Sequence, residues 1–291
     1  MLLVGLLFVP LPRPLNAPLV RYASDFMHAP LFAVVFLTAR RLLKPRSRRA
    51  ELLAAILGIA AGGLSEMLQS LTSREASVGD FAFDILGIAL AWAGVSCWRR
   101  RGAWRATHAV VMAGCVAAAV FFVARKAAET RDLDAMMPLL AGFERPHELD
   151  RWEAKAGTRM RRTAPGHAGS GWALEVRCSA TEAWPGVSME DFESDWRGYR
   201  WLEWSARLPS AEPLELAVRI DDDQGATHGT RYTAYVPISP SQEVYRIDLR
   251  EVAAHFREHP MNMARVTELH FFLDEPRADH VFSLDEVRLV P

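Results

Sequence analysis

Cysteine is scarce in this chain, three among 291 residues. Only Cys178 lies beyond residue 130, so that part of the chain has no intradomain disulfide and must fold on a hydrophobic core. There is no glycine-rich phosphate loop, no Ser/His/Asp arrangement and no Cys/His metal spacing. Nothing here therefore points to a nucleotide cradle, a hydrolytic triad or a zinc site. Internal repeats and low-complexity tracts are missing, which excludes a solenoid. No continuous basic stripe runs along the chain, so a nucleic-acid partner is not expected.

What is present is divided unevenly. Residues 1–130 carry a net charge of +8 and residues 131–291 a net charge of −9, against −1 for the whole. Half the residues are hydrophobic, yet the mean hydropathy is near zero. Such asymmetry predicts two parts in different surroundings, divided near residue 130. In the first part, segments 26–43, 50–71, 81–98 and 106–124 are long, apolar and flanked by arginines, as membrane-crossing helices are. The opening run 1–11 is half as long and lacks a basic leader, so it does not read as a signal peptide. Arginine-rich loops at 40–49 and 99–105 predict a cytoplasmic side. The turn between the second and third spans then faces outward, and residues 131–291 are exported to the periplasm or cell exterior.

Charged groups gather near that outward turn: Asp25 and His28 open the first span, Glu66 and Gln69 close the second, Arg74 lies in the turn, and Asp80 and Asp84 open the third. Ionisable groups at membrane depth usually pair or line a cavity. Asp80, Asp84, Gly87 and Ala91 form one helical stripe, and Gly58-x-x-x-Gly62 permits close helix contact. The expectation is a polar pocket built from Asp25, His28, Glu66, Gln69, Arg74, Asp80 and Asp84. It would bind a polar head group, perform acid–base chemistry, or simply clamp the helical hairpin.

This order of residues resembles the VanZ-like membrane family over about 20–125. That pattern has an acid and a histidine opening one helix, Glu-x-x-Gln closing the next, then an arginine, and Asp-x-x-x-Asn-x-x-Gly opening another. Asp84 stands here where the pattern has asparagine. The family's name comes from low-level glycopeptide-antibiotic resistance. The resemblance implies an envelope membrane protein and assigns no catalytic residue.

Beyond residue 125 the periodicity changes. Residues 126–137 read as a charged helix or linker, and from 139 onward the pattern is that of strands. Leu202, Trp204, Ala206 and Leu208 alternate with Trp201, Glu203, Ser205 and Arg207, and Leu214, Leu216, Val218 and Ile220 with Glu215, Ala217, Arg219 and Asp221. Further strands are expected at 172–178, 187–192, 231–237, 243–249, 266–273 and 281–289. Period-two alternation between turn residues predicts an antiparallel sandwich. Phe143-Glu144, the block 199–208, Ile220-Asp221 and the closing Phe282-Ser-Leu-Asp-Glu-Val-Arg-Leu289 resemble galactose-binding-like jelly rolls, the architecture of many carbohydrate-binding modules. The resemblance implies sugar binding and, in some relatives, a structural calcium, for which Glu144 and Asp285 are the weak candidates; no other cofactor is expected. Trp184, Tyr199, Trp201 and Tyr235, with Arg219 and Asp221 as polar partners, are the candidate sugar platform; the same aromatics would otherwise fill the core.

The fold class expected is thus an α-helical transmembrane bundle followed by an all-β jelly-roll sandwich. The expected partners are membrane lipid and an envelope glycan, lipid-linked saccharide or glycopeptide-like molecule. An enzyme using the outward carboxylates and an adaptor for another envelope protein are the alternatives.

Overall fold

The computed structural model describes residues 18–43, 48–69, 78–99, 102–167, 169–190, 192, 194–223, 231–255 and 260–291. The chain divides into two compact units, Met1–Ala128 and Glu129–Pro291.

In the first unit, α1 (Pro18–Leu42), α2 (Arg48–Gln69) and α3 (Val78–Arg99) pack on one another, and α4 (Ala103–Ala135) follows, its residues from Glu129 onward belonging to the second unit. Glycine sets the spacing of the packed helices. A Cβ on Gly87 would lie 2.0 Å from the Ala29 carbonyl oxygen, and one on Gly58 would lie 2.9 Å from Ile88. Phe32, Phe36, Ala54 and Ile88 form the small apolar cluster that results. Among the described residues, two helices are long and apolar enough to cross a membrane, by length and composition only: Phe81–Trp98 in α3 and Arg105–Ala135 in α4. The charged stretch 126–135 continues α4 instead of forming a separate element. Leu133 turns inward while Asp132 and Asp134 bond Arg145 and Arg151, so its charges mark a partnered helix end.

The second unit is a sandwich of two antiparallel sheets. One has the order β3 (Arg159–Thr163), β4 (Ala173–Cys178), β11 (His280–Val290), β6 (Trp201–Arg207), β9 (Val244–Asp248), with β1 (Leu139–Ala141) also on β11. The other has the order β2 (Trp152–Lys155), β5 (Gly186–Met189), β10 (Val266–Phe272), β7 (Leu214–Asp222), β8 (Tyr232–Ile238). A short helix, α5 (Leu249–Ala254), is capped by Asp248, whose carboxylate accepts the Arg250 N–H at 3.0 Å. The core is aromatic. Trp204 and Trp152 close on Phe271 with ring centroids 5.4 and 6.1 Å apart, and Leu174, Leu202, Leu216 and Phe282 fill the layer around them. Buried Glu148 fixes the opening corner by accepting the N–H groups of Gly142, Phe143 and Arg145 at 2.7–2.8 Å.

Candidate functional site

In the helical unit two of the expected polar residues are described in full. His28 on α1 and Asp84 on α3 are buried and meet through Nδ1 and Oδ1 at 2.9 Å. Gly62 on α2 makes room for this pair, since a Cβ there would come within 2.7 Å of the second Asp84 oxygen. Three helices thus converge on one hydrogen bond. Asp25, Glu66, Gln69 and Asp80 lie on α1, α2 and α3, with side chains outside the described set; Arg74 lies outside the described residues altogether.

In the sandwich, strand alternation decides which face each side chain occupies. Leu216, Val218 and Ile220 of β7 point into the core, so Ala217, Arg219 and Asp221 point away from it. Strand registers then align this outer face into transverse rows. One row runs Lys155, Gly186, Phe272, Ala217, Tyr235; the next runs Glu153, Ser188, His270, Arg219, Thr233. Beyond them Glu268 pairs with Asp221. Gly186 is required where it stands, because a Cβ would lie 2.3 Å from the Phe271 carbonyl oxygen.

At one end of this face two aromatic rings stand free. Trp184 is 57% exposed and Tyr235 51%. A single carboxylate holds both: the Trp184 indole N–H donates to Asp274 Oδ1 at 3.0 Å and the Tyr235 hydroxyl donates to Oδ2 at 2.9 Å. The bond to Asp274, with burial and the acid's charge, pushes the Tyr235 phenol above its usual pKa. Next to the rings the face turns polar. Glu190 accepts from Lys155 at 2.7 Å and from Ser188 at 2.8 Å, and the Arg219 guanidinium reaches Glu268 at 2.7 Å.

Tyr199 and Trp201 do not belong to this face. Tyr199 packs against the core. Trp201 starts β6 in the six-stranded sheet, where the Arg200 guanidinium covers its ring at 4.7 Å. Alternation within a strand shows which residues point outward and is silent on which of two sheets the strand joins. No local pattern marks His270, Glu190, Lys155 and Asp274 together, because they converge only through pairing between distant strands. The local signal was the out-of-core phase of His270 between Leu269 and Phe271.

The outer side of the six-stranded sheet has a cavity of ≈ 570 Å³, lined in part by Glu144, His167, Ser170, Glu203, Glu286 and Arg288. Glu203 on its wall is held by Arg288, also on the wall, and by Arg246, each at 2.5 Å. The two calcium candidates border this region, and each accepts hydrogen bonds from its surroundings. Glu144 Oε1 accepts the N–H groups of Gly171 and Trp172 at 2.7 and 3.1 Å. Asp285 accepts the His167 and Glu286 N–H groups, both at 2.8 Å, and the Ser170 hydroxyl. Donors thus already occupy Glu144 Oε1 and both Asp285 oxygens, which leaves less acceptor capacity for a cation. No group of three or more His, Cys, Asp or Glu among the described residues is placed to hold a metal ion.

No family model matches the chain, and no curated protein matches it. Several solved structures resemble about half of it. A family 11 carbohydrate-binding module of a Clostridium thermocellum cellulosomal cellulase is 13% identical, covering 52% of this chain and 92% of that one, with a TM-score of 0.40. A CBM22-1 xylan-binding domain of Paenibacillus barcinonensis Xyn10C is 18% identical, covering 52% and 92%, with a TM-score of 0.33. An exo-beta-agarase is 12% identical with a TM-score of 0.43, and the matched region spans 24% of its length. At these scores the likenesses decide neither ligand nor site.

Proposed function

We propose that this is a multi-pass envelope membrane protein whose sandwich recognises a glycan on the outer face of its five-stranded sheet. The observation that carries the reading is the Trp184–Asp274–Tyr235 bridge. Two half-exposed rings are held in orientation before any ligand arrives, so little side-chain entropy remains to be lost on binding. Sugar C–H faces stack on such rings, while their hydroxyls need the polar groups that line the adjoining rows; an aromatic wall with a few convergent polar groups is the usual form of a small-ligand site.

The membrane reading draws support from α4. Only 11% of the apolar window within its Arg105–Ala135 stretch is buried, with Val116, Val120 and Phe121 open to the surroundings. A helix core to a soluble fold would hide such residues; lipid would cover them. In this reading the helices form a VanZ-like domain with the expected polar pocket at the non-cytosolic boundary. There the pocket would take the polar head group of a lipid-linked or glycopeptide-like molecule, with the buried His28–Asp84 pair holding the helices around it, and residues 131–291 are exported.

The test is a glycan panel titrated into the detergent-purified protein. Trp184→Ala and Tyr235→Ala should each weaken a detected ligand at least about tenfold, as expected for aromatic anchors. Binding that persists through both substitutions would remove the sheet face from consideration.

A further inference from the structure

The opposite face of the sandwich has unspent chemistry of its own. Leu202, Trp204 and Ala206 of β6 enter the core, so Glu203 and Ser205 point outward from the six-stranded sheet. Register sets two rows across that sheet: Arg288, Glu203, Arg246 and, beside it, Asp285, Ser205, Val244. The connection from β3 to β4 brings His167 and Ser170 to the wall of the cavity there. At ≈ 570 Å³ this cavity has the size of a small-ligand site, about 300–1,000 Å³.

Two groups on the wall have hydrogen-bonding capacity left over. His167 is 2% exposed; its Nε2 meets Ser283 Oγ at 2.8 Å, and Nδ1 has no partner among the described residues. A buried polar atom left so is rare in folded proteins and calls for a use. Arg288 spends Nε and Nη2 on Glu203, while its Nη1 stays 3.7 Å from Glu286 Oε2, beyond hydrogen-bond reach. Ser205 adds a hydroxyl to the same wall, and Val244, 45% exposed, an apolar surface. Burial, reinforced by Arg207, outweighs Asp285 and Glu243 and holds the His167 imidazole below its usual pKa, so the ring is neutral. Either nitrogen can carry the proton, because the Ser283 hydroxyl donates or accepts equally well. The partner that suits Nδ1 in both tautomers is a hydroxyl; an ammonium only donates and a carboxylate only accepts.

Resting on the glycan reading for its ligand class, we infer that this cavity is a second saccharide site, where one sugar hydroxyl meets His167 Nδ1, another accepts from Arg288 Nη1, and Val244 backs a C–H face. The Trp184–Tyr235 platform belongs to the other sheet, across a core about 10 Å thick, and the two sites look in opposite directions. A tetrasaccharide therefore fills one or the other, and a single sandwich holds two stretches of glycan. Acidic sugars fit the cavity poorly. Burial, with Asp285, Glu144 and Glu148, raises the Glu286 carboxyl against the pull of Arg288, and a uronate would add one more negative charge beside it.

The experiment is calorimetric titration of the full chain in detergent with tetramers of glucose, galactose, N-acetylglucosamine and galacturonate. At least one neutral tetramer should bind at two sites per chain. The double variant Trp184→Ala, Tyr235→Ala should keep one of them. Adding His167→Phe or Ser205→Leu to it, with folding checked by circular dichroism, should weaken that remaining site at least about fivefold. Galacturonate should bind the double variant at least about tenfold more weakly than the neutral tetramer does. A single site that disappears in the double variant would overturn the cavity proposal and leave the platform standing. So would a second site indifferent to both His167→Phe and Ser205→Leu. A single site that survives the double variant and falls with His167→Phe would support the cavity and overturn the platform. Galacturonate binding the double variant as tightly as the neutral tetramer would overturn the ligand class. Failure of every tetramer would defeat the glycan reading beneath both sites.

Discussion

A buried pair such as His28 and Asp84 has its energy in what remains when one member is removed. Asp84→Ala takes away the acceptor and opens space beside Gly62, and breaking a buried pair this way costs about 3–5 kcal/mol. Asp84→Asn keeps the shape and one hydrogen bond, so its cost should be nearer 1–2 kcal/mol. Thermal melts in detergent should rank wild type above Asp84→Asn and Asp84→Asn above Asp84→Ala; an Ala variant as stable as wild type would deny the pair any structural weight. Asp84 and His28 were legible in the sequence because charge in an apolar helix is conspicuous. Their pairing across 56 residues was legible only through helix phase and the small residues around them.

Among the elements, the turn joining β2 to β3 shows how one residue stores strain. Ala156 and Gly157 both have positive φ, 46° and 68°, and the Thr158 N–H closes the turn onto the Lys155 carbonyl at 3.0 Å. Glycine adopts this region freely, whereas alanine is disfavoured there by about 1–2 kcal/mol. Ala156→Asn should therefore stabilise the sandwich by up to about 1 kcal/mol in chemical denaturation, since asparagine tolerates the left-handed region; a loss of stability would mean the strain lies elsewhere. The strands flanking this turn are also the ones the sequence concealed. Trp152-Glu-Ala-Lys155 and Arg159-Met-Arg-Arg-Thr163 are short, heavily charged and at the sheet edges. Edge strands are commonly guarded by charge, which blurs the alternation that made β6 and β7 easy to read. The jump of the chain between sheets at most connections is a tertiary outcome, and this is why local alternation does not separate Tyr199 and Trp201 from residues of the other sheet.

Across the molecule, the buried titratable groups on the five-stranded sheet give stability a two-sided dependence on pH. His270 stays neutral in the fold down to about 3, while the unfolded chain protonates it near 6.5. Between those values the unfolded state holds the extra proton, so stability falls as the solution is acidified. Glu153 works in the other direction. Its folded carboxyl keeps a proton up to about 7 and its unfolded one releases it near 4.5, so its contribution is complete below 4.5 and lost as pH rises through 7. Urea unfolding between pH 4 and 8 should show His270→Gln flattening the acid limb by on the order of a few kcal/mol, and Glu153→Gln flattening the neutral limb by about 1–2 kcal/mol. Unchanged slopes in both variants would locate the proton uptake in other groups.

Asp274 makes a lever of the two rings it holds. Once alkali strips the proton from Tyr235, the carboxylate confronts a phenolate, the two anions push apart, and the restraint on the indole of Trp184 slackens with them. That corner should lose its fixed tilt before the sandwich melts, and a change in tryptophan emission tracking phenol ionisation would report the release.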